Sequence, residues 1–350
     1  MELNERKLKI LQAIIRDFIV TAEPVGSRTL SKKYDLGVSP ATIRNEMSDM
    51  EDMGLLTHPH TSAGRVPSEK AYRLYVDEIM RRTELSEEMK ELITSQLYDN
   101  LSELDKTIER AAGLLSQITN LTAFALTPSQ EDDRIKYINL MPVDEHTVVL
   151  MIVAESGKVS NQTLRIRDVC DPDNLRVLAK SLTYNYRGKT LDEALRLDII
   201  DSLRSDISAM SRLAEDIMPD FMHTLEDMLN VHLYMNGLTN IFNLPEYNDI
   251  ERARMFVSML EHREEFTKKL ISRDDGLLIT IGRENEDENM NDCSLITATY
   301  RIDGRLVGKL GVIGPTRMRY SEITSVIEYL TDHITDAFEM NDEGGDDDER

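Results

Sequence analysis

The residues best suited to chemistry in this 350-residue chain lie on one predicted helix near its start. Thr42, Arg44, Asn45 and Ser48 share the side of that helix that points away from its apolar residues. An arginine can donate two hydrogen bonds to guanine, and an asparagine can pair with adenine in the same two-point manner. A helix that carries such side chains near its N-terminus suits the major groove of double-stranded DNA. The spacing therefore predicts a recognition helix that presents these four residues to DNA.

Two neighbouring segments carry residues that suit the DNA backbone. Ser27 and Arg28 open a short helix, where free backbone N–H groups and a hydroxyl can hold a phosphate. A turn-rich loop after the recognition helix combines polar residues with small ones that allow close approach of the backbone. Phosphate or minor-groove contact is the chemistry that this composition favours. The candidate residues of the loop are His60, Thr61, Ser62, Gly64 and Arg65.

Local signals predict the helices that must hold these residues. Residues 4–20 carry an amphipathic stripe with Asn4 as a cap, and a second helix runs from Ser27 to about Tyr34. Ser39 is the predicted N-cap of the recognition helix, with Pro40 at its first position. The three helices are short and closely spaced, as in a helix-turn-helix.

The end of the recognition helix and the loop beyond it predict a β-hairpin. Gly54 ends the helix at a left-handed position. Leu55–His58 and Arg65–Pro67 are short extended stretches on either side of the turn-rich loop. Three helices followed by a hairpin form a winged helix-turn-helix, which we assign to residues 1–82.

Charge separates this segment from the remainder of the chain. The whole chain has a net charge of -23, which by itself argues against nucleic acid. Residues 1–82 hold 13 basic and 12 acidic residues, whereas residues 83–350 hold 28 and 52. A near-neutral segment is also compatible with a protein-interaction module that has no operator, and that alternative stays open.

The remainder of the chain predicts an α+β fold. Residues 86–119 are helical with a heptad rhythm, which fits a packing helix within one chain or a coiled coil between subunits. Strands are predicted at 135–143, 147–155, 159–166, 277–282, 295–301 and 305–313, and a closing helix at 321–339. The pattern suggests one α+β domain, residues 83–171 and 273–340, interrupted by a helical insertion at 172–272. Residues 341–350 form a predicted disordered acidic tail.

Other kinds of site find little support in the residues. His58 and His60 flank a proline, but no third metal ligand is nearby, so we predict no metal site. Cys170 and Cys293 are far apart and are interpreted as ordinary thiols. No P-loop, GxGxxG, HExxH or GxSxG motif is present, so neither an enzyme nor a cofactor is predicted. The apolar stretch at 10–20 is too short and too charged for a membrane span, and the cytoplasm is the expected location.

Several motifs of residues 1–82 closely resemble one family, the HrcA heat-inducible transcription repressors of bacteria. The motifs are EPVGSR at 23–28, SPATIRNEM at 39–47, GLL at 54–56, PHTSAGRVP at 59–67 and AYRLYVD at 71–77. Ala71 stands where the family is expected to have glycine, and its helical position makes the change harmless. The remainder resembles the family in layout, with GVIGP at 311–315 as its clearest motif.

The resemblance implies a homodimeric repressor that binds a CIRCE-type inverted-repeat operator upstream of the groE and dnaK genes. It implies that the GroE chaperonin modulates the repressor, that the α+β domain is GAF-like and that the insertion dimerises. By position, Thr42, Arg44 and Asn45 would read bases, while Ser27, Arg28, His60, Ser62 and Arg65 would contact the backbone. A small-molecule sensor that gates DNA binding through the GAF-like domain is the alternative.

Overall fold

The computed structural model describes residues 3–59, 64–98, 104–127, 133–169, 171–197, 208–302 and 305–343, and it confirms a mixed α+β fold. The chain divides into two compact units. The first unit comprises Met1–Asp99, Glu109–Leu126 and Leu233–Arg350, and the second comprises Asn100–Ile108 and Thr127–His232. The helices are α1 Glu5–Thr21, α2 Ser27–Lys33, α3 Pro40–Asp52, α4 Glu69–Leu74, α5 Glu87–Tyr98, α6 Leu104–Thr119, α7 Pro172–Tyr186, α8 Leu191–Leu195, α9 Ser208–Leu229, α10 Ile250–Glu261, α11 Arg263–Ile271 and α12 Tyr320–Glu343. The strands are β1 Leu56–Thr57, β2 Val66–Pro67, β3 Thr122–Leu126, β4 Ile135–Pro142, β5 Thr147–Ala154, β6 Val159–Arg165, β7 Leu233–Asn236, β8 Leu278–Ile281, β9 Cys293–Ile302 and β10 Arg305–Pro315.

Residues 3–59 and 64–82 of the first unit, here called the head, form the three predicted helices and the predicted hairpin. The Asn4 side chain accepts from the Lys7 amide and caps α1. β1 and β2 pair antiparallel, with Leu56 opposite Pro67. After the hairpin, the sequence predicts a further helix that is capped by Ser68 and runs to about Arg82. Ser68 does cap α4, but the helix passes into a π-helical turn, Tyr75–Ile79, and stops at Met80. The buried apolar residues of α1 lie on one stripe, as the helical period requires.

A five-stranded antiparallel sheet forms the centre of the rest of the first unit, in the order β7-β3-β10-β9-β8. The long hairpin of β9 and β10 is its middle, and β3 pairs with both β10 and β7. Strand β7 was not predicted, since residues 172–272 were expected to be helical with a break near Asn236. The buried Lys309 of β10 donates to the Leu270 carbonyl, 3.0 Å away, and so caps the C-terminal end of α11.

The second unit corrects the predicted division of the chain. Strands β4 to β6 form a separate three-stranded sheet in the order β4-β5-β6, which shares one core with α7, α8 and α9. The insertion is therefore an α+β unit, Thr127–His232, and not a helical one at 172–272. Residues 233–272 belong to the first unit. The strands were located to within one residue, but alternation within a strand carries no information about which sheet it joins.

Burial also bears on the heptad run and on the end of the chain. Ile108, Ala111 and Leu115 are buried within the single chain, which favours the intramolecular interpretation of α6. The closing helix α12 reaches Glu343, so it overlaps the first residues of the predicted tail. Residues 344–350 lie outside the described residues. Over the described ranges, no helix is both long enough and apolar enough to cross a bilayer.

Candidate nucleic-acid interface

Helix α3, the predicted recognition helix, has one buried and one exposed side. Arg44, Asn45 and Ser48 lie on the exposed side, where the sequence placed them. The buried residues of the helix are Ile43, Met47 and Met50. Because the apolar side is held in the head, the polar side has a fixed direction relative to α1 and the hairpin.

The start of α3 is capped by a side chain, as predicted. The Ser39 hydroxyl accepts from the Thr42 amide at 3.1 Å, and Pro40 occupies the first helical turn. The Ser39 and Thr42 hydroxyls are also 2.9 Å apart and share a hydrogen bond. Thr42 is half-buried, so among the four predicted reading residues it is the one already engaged in holding the helix.

Helix α2 places Ser27 and Arg28 in its first turn. Gly26 is the N-cap and has no side-chain oxygen to offer, so the amides of the first turn lack a side-chain partner from the cap. Ser27 is half-buried, whereas Arg28 and Lys32 are exposed. This arrangement leaves a hydroxyl and two cations on the outer side of a helix that packs against α3.

Two carboxylates of the head, those of Asp17 and Glu46, form ion pairs with lysines of neighbouring helices. The carboxylate of Asp17 is buried in α1 and pairs with Lys33 of α2, and this bond raises the pKa of the Lys33 ammonium. Glu46 of α3 lies 3.0 Å from the Lys7 ammonium of α1. In both ion pairs the carboxylate lies at a contact between two helices.

Three cations remain on the outer side of α2 and the first turns of α3. Arg28, Lys32 and Arg44 are exposed and make no ion pair with any part of the chain that the structure describes. No acidic residue occurs between Gly26 and Lys33, and none occurs between Ser39 and Asn45. The head is near neutral in total, yet this side of it is positive, which suits a phosphate backbone.

Gly64 acts within the chain. A side-chain carbon at Gly64 would lie 2.5 Å from the Val25 carbonyl carbon and oxygen and 2.7 Å from the Pro24 carbonyl carbon. The missing side chain was predicted to let DNA approach. The structure shows that it lets the hairpin lie against the loop before α2.

Arg65 is bound to the recognition helix and to the first hairpin strand. Its guanidinium lies 2.9 Å from a Glu51 carboxylate oxygen and 2.9 Å from His58 Nδ1. His58 Nε2 is 3.2 Å from the other Glu51 oxygen. The arginine was predicted to contact the DNA backbone, and its charged group is already paired.

The predicted contacts His60, Thr61 and Ser62 lie outside the described residues, as does Cys170. Among the residues that are described, no group of three or more histidine, cysteine or carboxylate side chains could hold a metal ion. Cys293 is buried beside the Tyr247 hydroxyl at 3.6 Å. Burial raises the pKa of the Cys293 thiol to about 11, so its reactive thiolate is scarce at neutral pH.

Sequence reasoning missed two kinds of residue at this site. Lys32 could have been found, because three basic residues and no acid occupy α2. Glu51 and His58 gave no usable signal, since their partner Arg65 is 14 and 7 positions further along the chain. Contacts between residues so far apart in the chain form only when the hairpin folds back against α3.

Comparison with known proteins gives consistent results over nearly the whole chain. Residues 105–324 match the family model described as the HrcA protein C terminal domain. The heat-inducible transcription repressor HrcA of Alkaliphilus metalliredigens is 41% identical over 338 residues, covering 96% of this chain and 98% of the relative. That of Clostridium tetani is 43% identical over 336 residues, covering 95% of each. A solved structure of a hypothetical protein is 24% identical and has a TM-score of 0.73, covering 96% of this chain and 99% of its own, which shows the shared fold.

These findings define the class as a transcription repressor, a regulator that is not an enzyme. The chain belongs to the HrcA family of heat-inducible transcription repressors.

Proposed function

We propose that the head is a winged helix-turn-helix that binds double-stranded DNA, and that the chain represses transcription by occupying an operator in the cytoplasm. The observation that carries this proposal is the exposed side of α3. Arg44 and Asn45 point away from the core on a capped helix, beside the free cations of α2. Arg44, Asn45 and Ser48 would contact bases, with Thr42 at their edge, and Ser27 and Arg28 would contact phosphates.

The operator in this proposal is a CIRCE-type inverted repeat, and the repressor is a homodimer. Two identical heads related by a two-fold axis match the two halves of such a repeat. The outer side of the sheet in the second unit supports self-association, since Tyr137, Met141 and Val159 are 42%, 39% and 45% exposed there. This side offers the apolar surface that a dimer would cover.

The controlled operons in this proposal are groE and dnaK, and the GroE chaperonin modulates the repressor. Family membership supports both points, because the relatives are named as heat-inducible repressors. The body of the first unit, an antiparallel sheet with packed helices, is the part that we propose to be GAF-like. No cofactor enters the proposal.

A fluorescence-anisotropy titration tests the proposed function. The purified full-length protein is titrated against a duplex that carries the inverted repeat and against a scrambled duplex of equal length. Each titration is run with and without GroE chaperonin. We expect selective binding to the repeat that strengthens when chaperonin is present, with a stoichiometry of one dimer per duplex.

Two results would contradict the proposal separately. Equal binding to both duplexes, from protein shown to be folded by circular dichroism, would overturn the operator and favour the interaction-module alternative. Selective binding that chaperonin leaves unchanged would retain the repressor and overturn the chaperonin link.

A further inference from the structure

We propose that Glu51, His58 and Arg65 form a positioning triad that fixes the hairpin against the recognition helix. In this assignment Arg65 acts on DNA binding through the geometry of the head and makes no phosphate contact of its own. The inference rests on the proposed DNA binding, which it deepens. The three residues come from the end of α3, the first hairpin strand region and the second hairpin strand region.

One hydrogen bond and two ion-pair contacts join the three side chains of the triad. A guanidinium has only donors, so His58 Nδ1, 2.9 Å from Arg65, must be the acceptor. The proton of a neutral imidazole is then on Nε2, which faces Glu51 Oε1 at 3.2 Å. Glu51 Oε2 lies 2.9 Å from the Arg65 guanidinium, and the two groups form an ion pair. Each side chain is held by both of the others.

The Arg65 guanidinium has few free nitrogen donors with which to bind a phosphate. Its two terminal nitrogens are engaged with Glu51 and His58, and its Nε is buried. The Arg65 side chain is 18% exposed, whereas Arg28 and Arg44 are exposed residues without an ion pair over the described ranges. The two exposed arginines are therefore suited to contact DNA. Arg65 is suited to hold the hairpin against α3.

The backbone of Arg65 also connects the hairpin to the loop before α2. The Val25 amide donates to the Arg65 carbonyl at 2.8 Å, and the Arg65 amide donates to the Val25 carbonyl at 2.9 Å. Gly64 allows this approach because it has no side chain. One residue thus joins the loop before α2, the hairpin and the end of α3, so the direction of the hairpin depends on it.

The E51Q substitution tests the inference, because a charge effect and a positioning effect predict opposite changes in DNA affinity. Removing the negative charge of Glu51 from a DNA-binding head should strengthen binding if charge alone matters. If Glu51 positions the hairpin, E51Q should weaken operator binding instead. Asp52 is the matched control, since it is the adjacent carboxylate, is exposed, and makes no ion pair in the described part of the chain.

The first experiment is a double-mutant cycle of E51Q and R65M, with D52N beside it, read by anisotropy on the inverted repeat. We expect each triad variant to bind about tenfold more weakly and the double variant to bind no more weakly than R65M alone. We expect the slope of log K against log salt to stay unchanged, because no phosphate contact is lost. Additive losses, or a slope that falls by about 0.9 in R65M, would overturn the triad.

A second measurement reads the triad without DNA and separates its failure from that of the proposed function. Hydrogen exchange by mass spectrometry follows the peptide that contains residues 64–67. We expect E51Q to speed its exchange while D52N leaves it as in wild type, with the α1 peptides unchanged as evidence of folding. Equal exchange in the two variants would overturn the triad even if operator binding were intact. Wild-type protein without operator selectivity would overturn the proposed function alone.

Discussion

At the scale of single residues, arginines of the head differ in their contacts. Arg44 is exposed on α3 and free of ion pairs within the described part of the chain, whereas Arg65 is held by Glu51 and His58. An exposed guanidinium keeps its donors for a base or a phosphate. Composition alone assigns both arginines to DNA, and only the contacts separate them.

Replacing Arg44 by alanine should weaken binding to the operator by about 1–3 kcal/mol. The reason is the loss of a two-point contact to one base pair in each half-site. Anisotropy titrations on operator variants substituted at single base pairs would show relaxed discrimination at one position. Equal losses on operator and random DNA would contradict a base-reading role for Arg44.

Substituting alanine for Gly64 should destabilise the head by about 1–3 kcal/mol, because the new carbon would lie 2.5 Å from the Val25 carbonyl. Denaturant unfolding measures the effect. G113A is the control, since its nearest neighbour outside the helix would be 3.9 Å away and alanine favours a helix by about 0.5–1 kcal/mol. A stable G64A variant would show that the hairpin yields easily at this point.

At the scale of elements, α3 depends on its cap and on its buried side more than on its composition. The helix holds 13 residues, and isolated helices of about this length are marginal in water. The Ser39 hydroxyl satisfies one of its free amides, and three buried residues hold it in the head. The helix that we propose to read DNA is thus stabilised at its start and along one side.

Exchanging Ser39 for alanine should lower the free energy of unfolding by about 1 kcal/mol, since the Thr42 amide loses its acceptor. Urea unfolding followed by circular dichroism is the measurement. S48A serves as the matched control, because Ser48 is exposed on the same helix and its hydroxyl makes no hydrogen bond to the described residues. We expect S48A to keep its stability, and a loss as large as that of S39A would contradict the capping argument.

At the scale of the whole molecule, partly exposed polar contacts join the head to the remainder of the first unit. Arg73 of α4 donates to both oxygens of Glu284 and to the Ile279 carbonyl, which is 2.6 Å away. Arg317 donates to Glu246 and to the Ile19 carbonyl at the end of α1. Two arginines therefore contribute to holding the head against the remainder of the first unit.

Arg73→Ala should destabilise the first unit by about 1–2 kcal/mol, because the hydrogen bonds to Glu284 are lost. The expected loss is small because Glu284 is 38% exposed and solvent weakens the ion pair. Partial burial alone would raise the pKa of Glu284, but the Arg73 guanidinium and the Ile281 amide lower it below its ordinary value of 4.5. The stabilisation is therefore complete above pH 4.5 and is lost as the pH falls through the lowered value.

Thermal unfolding of wild type and R73A across pH 3 to 7 checks this dependence. We expect the difference between the two proteins to shrink in acid. R82A is the control, since the Arg82 side chain is 75% exposed in its ion pair with Glu328 and should contribute little. A difference that is constant with pH would show that Arg73 acts through packing alone.

Local patterns predicted most of the elements. The caps Asn4, Ser39 and Ser68 act as expected, and strands β4 to β6 end within a residue of their predicted bounds. Strand β7 was missed because it closely follows the long helix α9 and was assigned to the same helical stretch. The exposed residues of α3 followed from the helical period, which fixes sides without knowledge of partners.

The sequence by itself determined where helices begin, which side of α3 is polar and to which family the motifs belong, because these features depend on residues close together in the chain. Only the tertiary structure decided that β4 to β6 leave the larger sheet and that Glu51 and His58 hold Arg65. Pairing between distant segments depends on chain reversal and on burial of whole surfaces, and local periodicity records neither.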